Sequence, residues 1–211
     1  MSSHWFESLK RLQAIASTGM HFGASEFDLE RYEEIHSITL DLLGQLTGTS
    51  IEQLQTVYAP AGKSYATPMV DVRAAVFAPN QVKPQILLVQ EKSDECWTMP
   101  GGYADVGLSA VENVVKEVSE EANIDVEVVK LICVRHKVKH AYQKDLRDFY
   151  KFFFLCEQTC ERQPIAGMET LQAGYFELSA LPKLSTGRCI VDDVELAFEF
   201  QGDPTLSSVV D

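Results

Sequence analysis

The sequence predicts an α/β (α+β) fold: an α/β/α sandwich around a mixed sheet, preceded by a small N-terminal helical unit. Three observations point there. Beyond Pro68, short β-rich runs alternate with helix-period segments, the order of elements that layered α/β domains show. Residues 1–58 instead carry only the 3.6-residue period. At 97–124, written WTMPGGYADVGLSAVENVVKEVSEEANI, a glycine-punctuated loop runs straight into a capped amphipathic helix.

In chain order, residues 3–17 read as an amphipathic helix with Trp5, Phe6, Leu9, Leu12 and Ile15 as its apolar members, closed by Thr18-Gly19. Trp5 and Phe6 read as core or interface rather than as a ligand box. Asp28 is the expected cap of a second helix reaching about Leu46. Its stripe is Leu29, Tyr32, Ile35, Ile38, Leu42, Leu43 and Leu46, with Thr39 inside it and Leu40 off its edge. Gly48 closes that helix, and Ser50 with Gln53 forms a capping box for a short third one. Residues 59–64, Ala-Pro-Ala-Gly-Lys-Ser, read as a linker, so 1–58 form a helical extension and 66–205 the main domain. So small an extension is expected to pack its apolar faces on the main domain, on a second subunit, or on both.

In the main domain, 70–78 and 85–90 are short β-rich runs, with Arg73 set between Val72 and Ala74 in the first. That arginine is either ion-paired within the fold or a phosphate or ribose contact near the glycine loop. A second strand pair is expected at 126–134 and 149–156. Between them lie Arg135, His136, Lys137, Lys139, His140, Lys144 and Arg147, a basic stretch that can draw in a diphosphate or form a solvated turn. Glu169 precedes a strand at 173–176, and a helix at 189–200 closes the domain.

Composition excludes several classes. The net charge of −13 does not suit a binder of duplex DNA. A small anionic substrate would have to be met by local cations or by bound metal. No apolar run of about 18 residues occurs, and His4, Glu7, Lys10 and Arg11 interrupt the first helix, so neither a membrane span nor a signal-like start is read. Cys96, Cys133, Cys156, Cys160 and Cys189 form an odd set without C-x-x-C, which reads as reduced thiols in the cytoplasm.

The chemistry is concentrated in 97–124. Gly101, Gly102 and Gly107 allow positive φ and a close approach of backbone to a ligand. Ser109 caps the helix and Glu112 completes a capping box. Val111, Val114, Val115, Val118 and Ala122 share one arc of that helix, while Glu117, Glu120 and Glu121 share another, with Asn113 one turn earlier. Three carboxylates so close repel one another, and a hard divalent cation relieves the repulsion. Mg²⁺ takes oxygen ligands and completes its shell with substrate phosphates. A solvated acidic face has the same E-x-x-E-E spacing. The glycine loop directly upstream, which brings backbone beside the carboxylates, favours the metal reading.

This loop and helix resemble the Nudix box of the Nudix hydrolases, G-x5-E-x7-R-E-U-x-E-E-x-G-U with U aliphatic. Gly102, Glu117, Val118, Glu120, Glu121 and Ile124 match in register. Three positions depart: Leu108 replaces the first glutamate, Lys116 the arginine, and Asn123 the last glycine. Asn is the next best residue for a left-handed C-cap, so Asn123 is a mild change. Lys116 keeps the charge but loses the bidentate fork. Leu108 removes the carboxylate that the box arginine would hold, and Glu112, one turn before Lys116, is the expected replacement.

The resemblance implies a Nudix-type sandwich and a Mg²⁺- or Mn²⁺-dependent pyrophosphohydrolase that splits nucleoside diphosphates linked to another group, by attack of water on phosphorus. It implies Glu117, Glu120 and Glu121 as metal-binding and catalytic, and the backbone of Gly101 and Gly102 as the phosphate approach. It also implies Glu169 as an additional catalytic or metal-associated glutamate. The helical extension together with W-T-M-P-G-G-Y-A-D-V-G-L-S resembles a branch that includes bacterial ADP-ribose and CDP-choline pyrophosphatases. The expected substrate is therefore a small nucleoside diphosphate derivative, and a homodimer is the usual family state. Tyr65, Tyr103 and Tyr142 are candidates for base recognition. Two alternatives stand: a nucleoside triphosphate or RNA-end hydrolase of the same family, and a non-catalytic Nudix-fold sensor. Leu108 and Lys116 make the sensor thinkable; the three glutamates oppose it.

Overall fold

In the computed structural model, which describes residues 3–23, 25–58 and 65–211, the first helix (α1, Ser3–Phe22) runs through Thr18-Gly19, where the sequence predicted its end. A Cβ on Gly19 would stand 2.5 Å from the ring of Tyr32. The glycine is therefore the point where α1 and the next helix (α2, Glu26–Thr47) come close, and it tolerates a helix-propensity cost of about 1 kcal/mol for that. Ser25, not Asp28, caps α2: the Asp28 N–H donates to Ser25 Oγ at 3.1 Å. Gly48 closes α2 in the left-handed region at φ 70°, and α3 (Ile51–Val57) opens with the expected Ser50–Gln53 box. The expected linker at 59–64 lies outside the described residues.

These helices belong to a compact unit, Met1–Pro68 with Leu146–Asp148, whose core is Phe6, Leu9, Leu40, Leu43 and Leu54. Lys10 Nζ donates to the Arg147 carbonyl at 3.0 Å and the Tyr58 hydroxyl to that of Leu146 at 2.8 Å. Leu40, read as lying off the stripe, is buried, whereas Ile35, Ile38 and Leu42 are exposed. Helix α2 carries apolar residues on two faces, and the pattern alone does not say which is turned inward. Phe6 and Trp5 likewise part company: Phe6 is buried and Trp5 is 65% exposed.

The second unit, Met69–Asp145 with Phe149–Asp211, holds the sheets. Its elements are β1 (Met69–Val76), β2 (Ile86–Glu91), β3 (Trp97–Thr98), α4 (Ala110–Ala122), β4 (Val126–His136), β5 (Phe149–Gln158), β6 (Thr170–Phe176), α5 (Val191–Gly202) and β7 (Val209–Val210). One sheet runs β1-β5-β4-β7, with β1 parallel to β5 and β4 antiparallel to it; the other runs β3-β2-β6, antiparallel throughout. The sandwich follows from the period of two along the strands. Val72, Ala74 and Val76 of β1 pack with Leu87, Val89 and Phe154 against Val114, Val118 and Ala122 of α4. The alternate residues Ala75, Phe77, Ile86, Leu88, Phe153 and Leu155 pack against Val194, Ala197 and Phe200 of α5. Each fully buried valine on α4 contributes about 1.5–3 kcal/mol. Strand β6 begins three residues before its expected start, and β7 was not foreseen. Among the described residues, no helix is long and apolar enough to cross a membrane.

Candidate active site

The glycine loop is pinned along the free edge of β1. Ala74 N–H donates to the Pro100 carbonyl at 2.8 Å, Val72 N–H to that of Gly102 at 2.9 Å, and Ala104 N–H to that of Val70 at 3.0 Å. So close an approach admits no side chain at the turn. Gly101 sits at φ 145°, and a Cβ there would meet the Val72 carbonyl oxygen at 2.0 Å. A Cβ on Gly102 would stand 2.7 Å from Glu117 Oε1. The turn thus lies directly against the acidic arc of α4, and the Gly101 N–H donates to Glu121 Oε2 at 2.8 Å.

Helix α4 presents that arc as the sequence predicts. Ser109 and Glu112 form the capping box, and Asn123 closes the helix at φ 55°. Glu121 is buried, Glu117 partly so and Glu120 exposed. Burial pushes Glu121 up to about 8, with help from the charges of Glu91 and Glu117 and against the pull of Arg73 and the Gly101 N–H. Glu117 is raised as well, first by burial, with Arg73 and Lys116 opposing and Glu120 and Glu169 adding to the rise. The expected pair between Glu112 and Lys116 is not made. Glu112 is committed to the cap, accepting from Ser109 N–H at 2.8 Å, and Lys116 bonds Asp105 Oδ2 at 3.0 Å and Glu120 Oε2 at 3.3 Å instead.

The loop before β6 closes the far end of the arc. Gly167 N–H and the Thr170 hydroxyl both donate to the Glu121 carbonyl, at 3.0 and 2.9 Å, and Ile165 N–H donates to that of Ala122 at 2.9 Å. These satisfy carbonyls that the end of a helix leaves unpaired. A Cβ on Gly167 would fall 1.7 Å from the Glu120 carbonyl oxygen. Glu169 follows within this stitched loop, exposed, and its charge reaches both Glu117 and Glu91.

Arg73 is buried and ion-paired. Its fork meets Asp71 at 3.0 and 2.8 Å, and Nη1 donates to the Met99 carbonyl at 3.2 Å. Lys151 reaches the same carboxylate at 2.6 Å. Burial opposes the charge on Asp71, but Arg73 and Lys151 outweigh it and hold the carboxyl below its ordinary range. Sequence reasoning missed Asp71, although its i,i+2 spacing to Arg73 on a strand puts both on one face. It also missed Glu91, the charged end of the apolar run I-L-L-V-Q-E. Glu91 is raised chiefly by burial, and Arg188 Nε stands 3.2 Å from its Oε1.

The basic stretch after β4 is divided: Lys139 and Lys144 are exposed, while three other members are paired within the fold. Arg135 and Lys137 are buried and paired with Asp193 and Asp145, at 2.8 and 3.2 Å, and His140 meets Asp211 at 2.8 Å. Two of those acids come from the distant C-terminal part of the chain, beyond the reach of local reading. Tyr142 is buried with its hydroxyl donated to Asp193 at 2.6 Å, so it is a framework residue rather than a base contact. Tyr103 is 45% exposed beside the glycine loop and stacks on Phe149 at 5.5 Å; Tyr65 lies in the helical unit.

Among the described residues, no three His, Cys, Asp or Glu side chains already stand as a finished metal-holding set. The chemistry of the donors fits a hard divalent cation nonetheless: they are oxygen only and like-charged, and the arginine whose charge acts on Glu117 and Glu121, Arg73, is already paired with Asp71.

Residues 3–58 match the family described as "UDP-X-like, N-terminal oligomerisation domain", and residues 68–191 match the NUDIX domain. A putative ADP-ribose pyrophosphatase of Bacillus subtilis is 36% identical over 211 residues, covering 100% of this chain and 99% of that protein. A crystal structure of a UDP-X diphosphatase is 31% identical, covers 100% of both chains and superposes with a TM-score of 0.61. An ADP-ribose pyrophosphatase from Streptococcus suis is 36% identical, covers 69% of this chain and 100% of its own, and has a TM-score of 0.60.

Proposed function

The chain belongs to the Nudix hydrolase family, enzymes that generally use divalent metal ions, and from that premise we propose that it hydrolyses the diphosphate of a nucleoside diphosphate linked to a sugar or alcohol. ADP-ribose is the first candidate and CDP-choline the second. The observation that carries this reading is the contact of the glycine turn with the acidic arc, Gly101 N–H on Glu121 at 2.8 Å. It brings the turn that this reading assigns to the phosphates against a carboxylate that it assigns to the metal. The full-length likeness to proteins named for ADP-ribose and UDP-X supports the substrate class.

In this proposal Glu117, Glu120 and Glu121 hold Mg²⁺ or Mn²⁺. When bound, the cation neutralises charge on the diphosphate and makes water a better nucleophile. The backbone at Gly101 and Gly102 orients the phosphates. Glu169, on the loop stitched to the end of α4, orients the attacking water or completes the metal site. Arg73, committed to Asp71, serves the substrate through its field and by holding the Met99 carbonyl beside the turn. The 66–205 part carries hydrolysis, and the 1–58 part carries assembly as a homodimer in the cytoplasm. Exposed apolar residues support the latter: Trp5, Leu12, Ile15 and Phe22 lie on one side of α1, and Phe27, Ile35, Ile38 and Leu42 on one side of α2.

The test is product release from ADP-ribose, CDP-choline, a UDP-sugar, a dinucleoside polyphosphate and a nucleoside triphosphate, with and without Mg²⁺ or Mn²⁺. Metal-dependent cleavage of a diphosphate conjugate is expected. Preference for the triphosphate would replace this reading with nucleotide-pool hydrolysis.

A further inference from the structure

Position 108 is Leu, so Lys116 lacks the carboxylate that the box pattern would give it, and the structure shows what stands in. Asn113, 1% exposed, accepts the Asp105 N–H on its Oδ1 at 2.8 Å and donates Nδ2 to the carbonyls of Leu108 and Ser109 at 3.3 and 3.0 Å. A buried amide thus fastens the 105–109 turn to α4 and fixes the place of Asp105. Lys116, three residues after Asn113, then spans two carboxylates, Asp105 Oδ2 at 3.0 Å and Glu120 Oε2 at 3.3 Å. The hydrogen bonds to Asp105 and Glu120 raise the affinity of Lys116 for its proton, so the ammonium stays charged.

We infer that Asp105 is a positioning residue of this active site: acting through Lys116, it holds the side chain of Glu120 in one orientation, in place of the carboxylate missing at 108. The inference rests on the proposed reading of Glu120 as a metal-holding group. All three side chains are at least partly exposed, so the chain of contacts adds little to fold stability. Its effect lies elsewhere. A glutamate on a helix surface samples several rotamers, and a ligand that must be ordered on binding loses affinity to that ordering. With one oxygen tied to Lys116, Glu120 meets a cation already placed. Partners that orient metal ligands commonly change affinity 10- to 100-fold, and for this exposed one we expect about three- to tenfold.

Charge alone makes the opposite prediction for one variant, which gives the test its edge. Removing Lys116 takes a positive charge away from a cation site, so simple electrostatics predicts tighter Mn²⁺ binding by Lys116→Met. Loss of positioning predicts weaker binding. Mn²⁺ affinity would be measured from the EPR signal of the free ion, at enough salt to screen exposed charges, for Asp105→Asn, Lys116→Met, the double variant, Asp105→Glu and Glu120→Gln. The expected result is a three- to tenfold loss in each of the first two, no further loss in the double variant, and near-normal binding in Asp105→Glu, with unfolding temperatures unchanged. Tighter binding by Lys116→Met, or unchanged binding by Asp105→Asn while Glu120→Gln weakens it, overturns the positioning role alone. Unchanged binding by Glu120→Gln removes Glu120 from the metal site and the inference with it.

Discussion

The amide of Gly101 stands 2.8 Å from Glu121 Oε2, so a turn that tolerates no side chain is bonded to the most buried carboxylate of the acidic arc. The turn on β1 and the face of α4 therefore cannot move independently. A change at either residue is felt at the other, but with different signatures.

Glu121→Gln keeps an oxygen for the Gly101 N–H while removing the charge. Turnover should fall by about 10²-fold or more, with the unfolding temperature within a few degrees of the parent. Steady-state kinetics beside a thermal melt decides it; near-normal turnover would sink the metal assignment.

Gly101→Ala and Gly107→Ala separate two costs that positive φ usually confounds. At Gly107 (φ 95°) an added methyl would meet nothing within 4 Å, so only backbone strain is introduced, about 1 kcal/mol. At Gly101 the methyl would also meet backbone at 2.0 Å, and the cost should reach about 3 kcal/mol or more. Urea unfolding of the two variants would show whether the gap exists.

Asp71→Asn leaves Arg73 and Lys151 buried without their shared anion, and should cost about 3–5 kcal/mol at neutral pH. Because the folded pKa of Asp71 is depressed, its contribution is complete above about pH 5 and is lost as pH falls through the folded value, below the unfolded value of about 3.9. The parent should accordingly lose part of its advantage over the variant in acid. Unfolding curves at pH 7, 5 and 3.5 test this, and a constant difference across the three would contradict it.

Leu12→Lys with Ile38→Lys places charge in the exposed apolar stripes of α1 and α2. The pair should shift the protein to a smaller species in sedimentation while leaving helical circular dichroism intact. An unchanged sedimentation coefficient would move the assembly surface elsewhere.

What could be read from the sequence was mostly local. The Ser109–Glu112 and Ser50–Gln53 boxes and the Asn123 cap each depend on residues within a few positions, and all three are present. The α/β sandwich was also legible, from the order of β-rich runs and helix-period segments, and the structure packs β1, β2 and β5 between α4 and α5. Readings failed where a distant partner decided. Gly19 continues a helix because Tyr32 needs its space, and Glu112 cannot serve Lys116 because its cap holds it. Arg135 and His140 of the basic stretch find their partners in Asp193 and Asp211, which come from far along the chain. Glu91 and Arg188 meet only once β2 and the segment before α5 are in place.

The pairing of β1 with β5 also sets an order of events during synthesis. Met69 lies beside Phe149 in the sheet, and at roughly 5–20 residues per second the ribosome delivers that partner roughly 4–16 s after β1 emerges. Two hydrogen bonds of the helical unit wait as well, since Tyr58 and Lys10 bond carbonyls of Leu146 and Arg147, immediately before β5. One short stretch, 146–158, thus completes both units. Until it leaves the exit tunnel, β1 lacks its parallel neighbour and both cores of the second unit lack the side chains of Phe153, Phe154 and Leu155, and this is the interval in which a ribosome-associated chaperone has the most to shield.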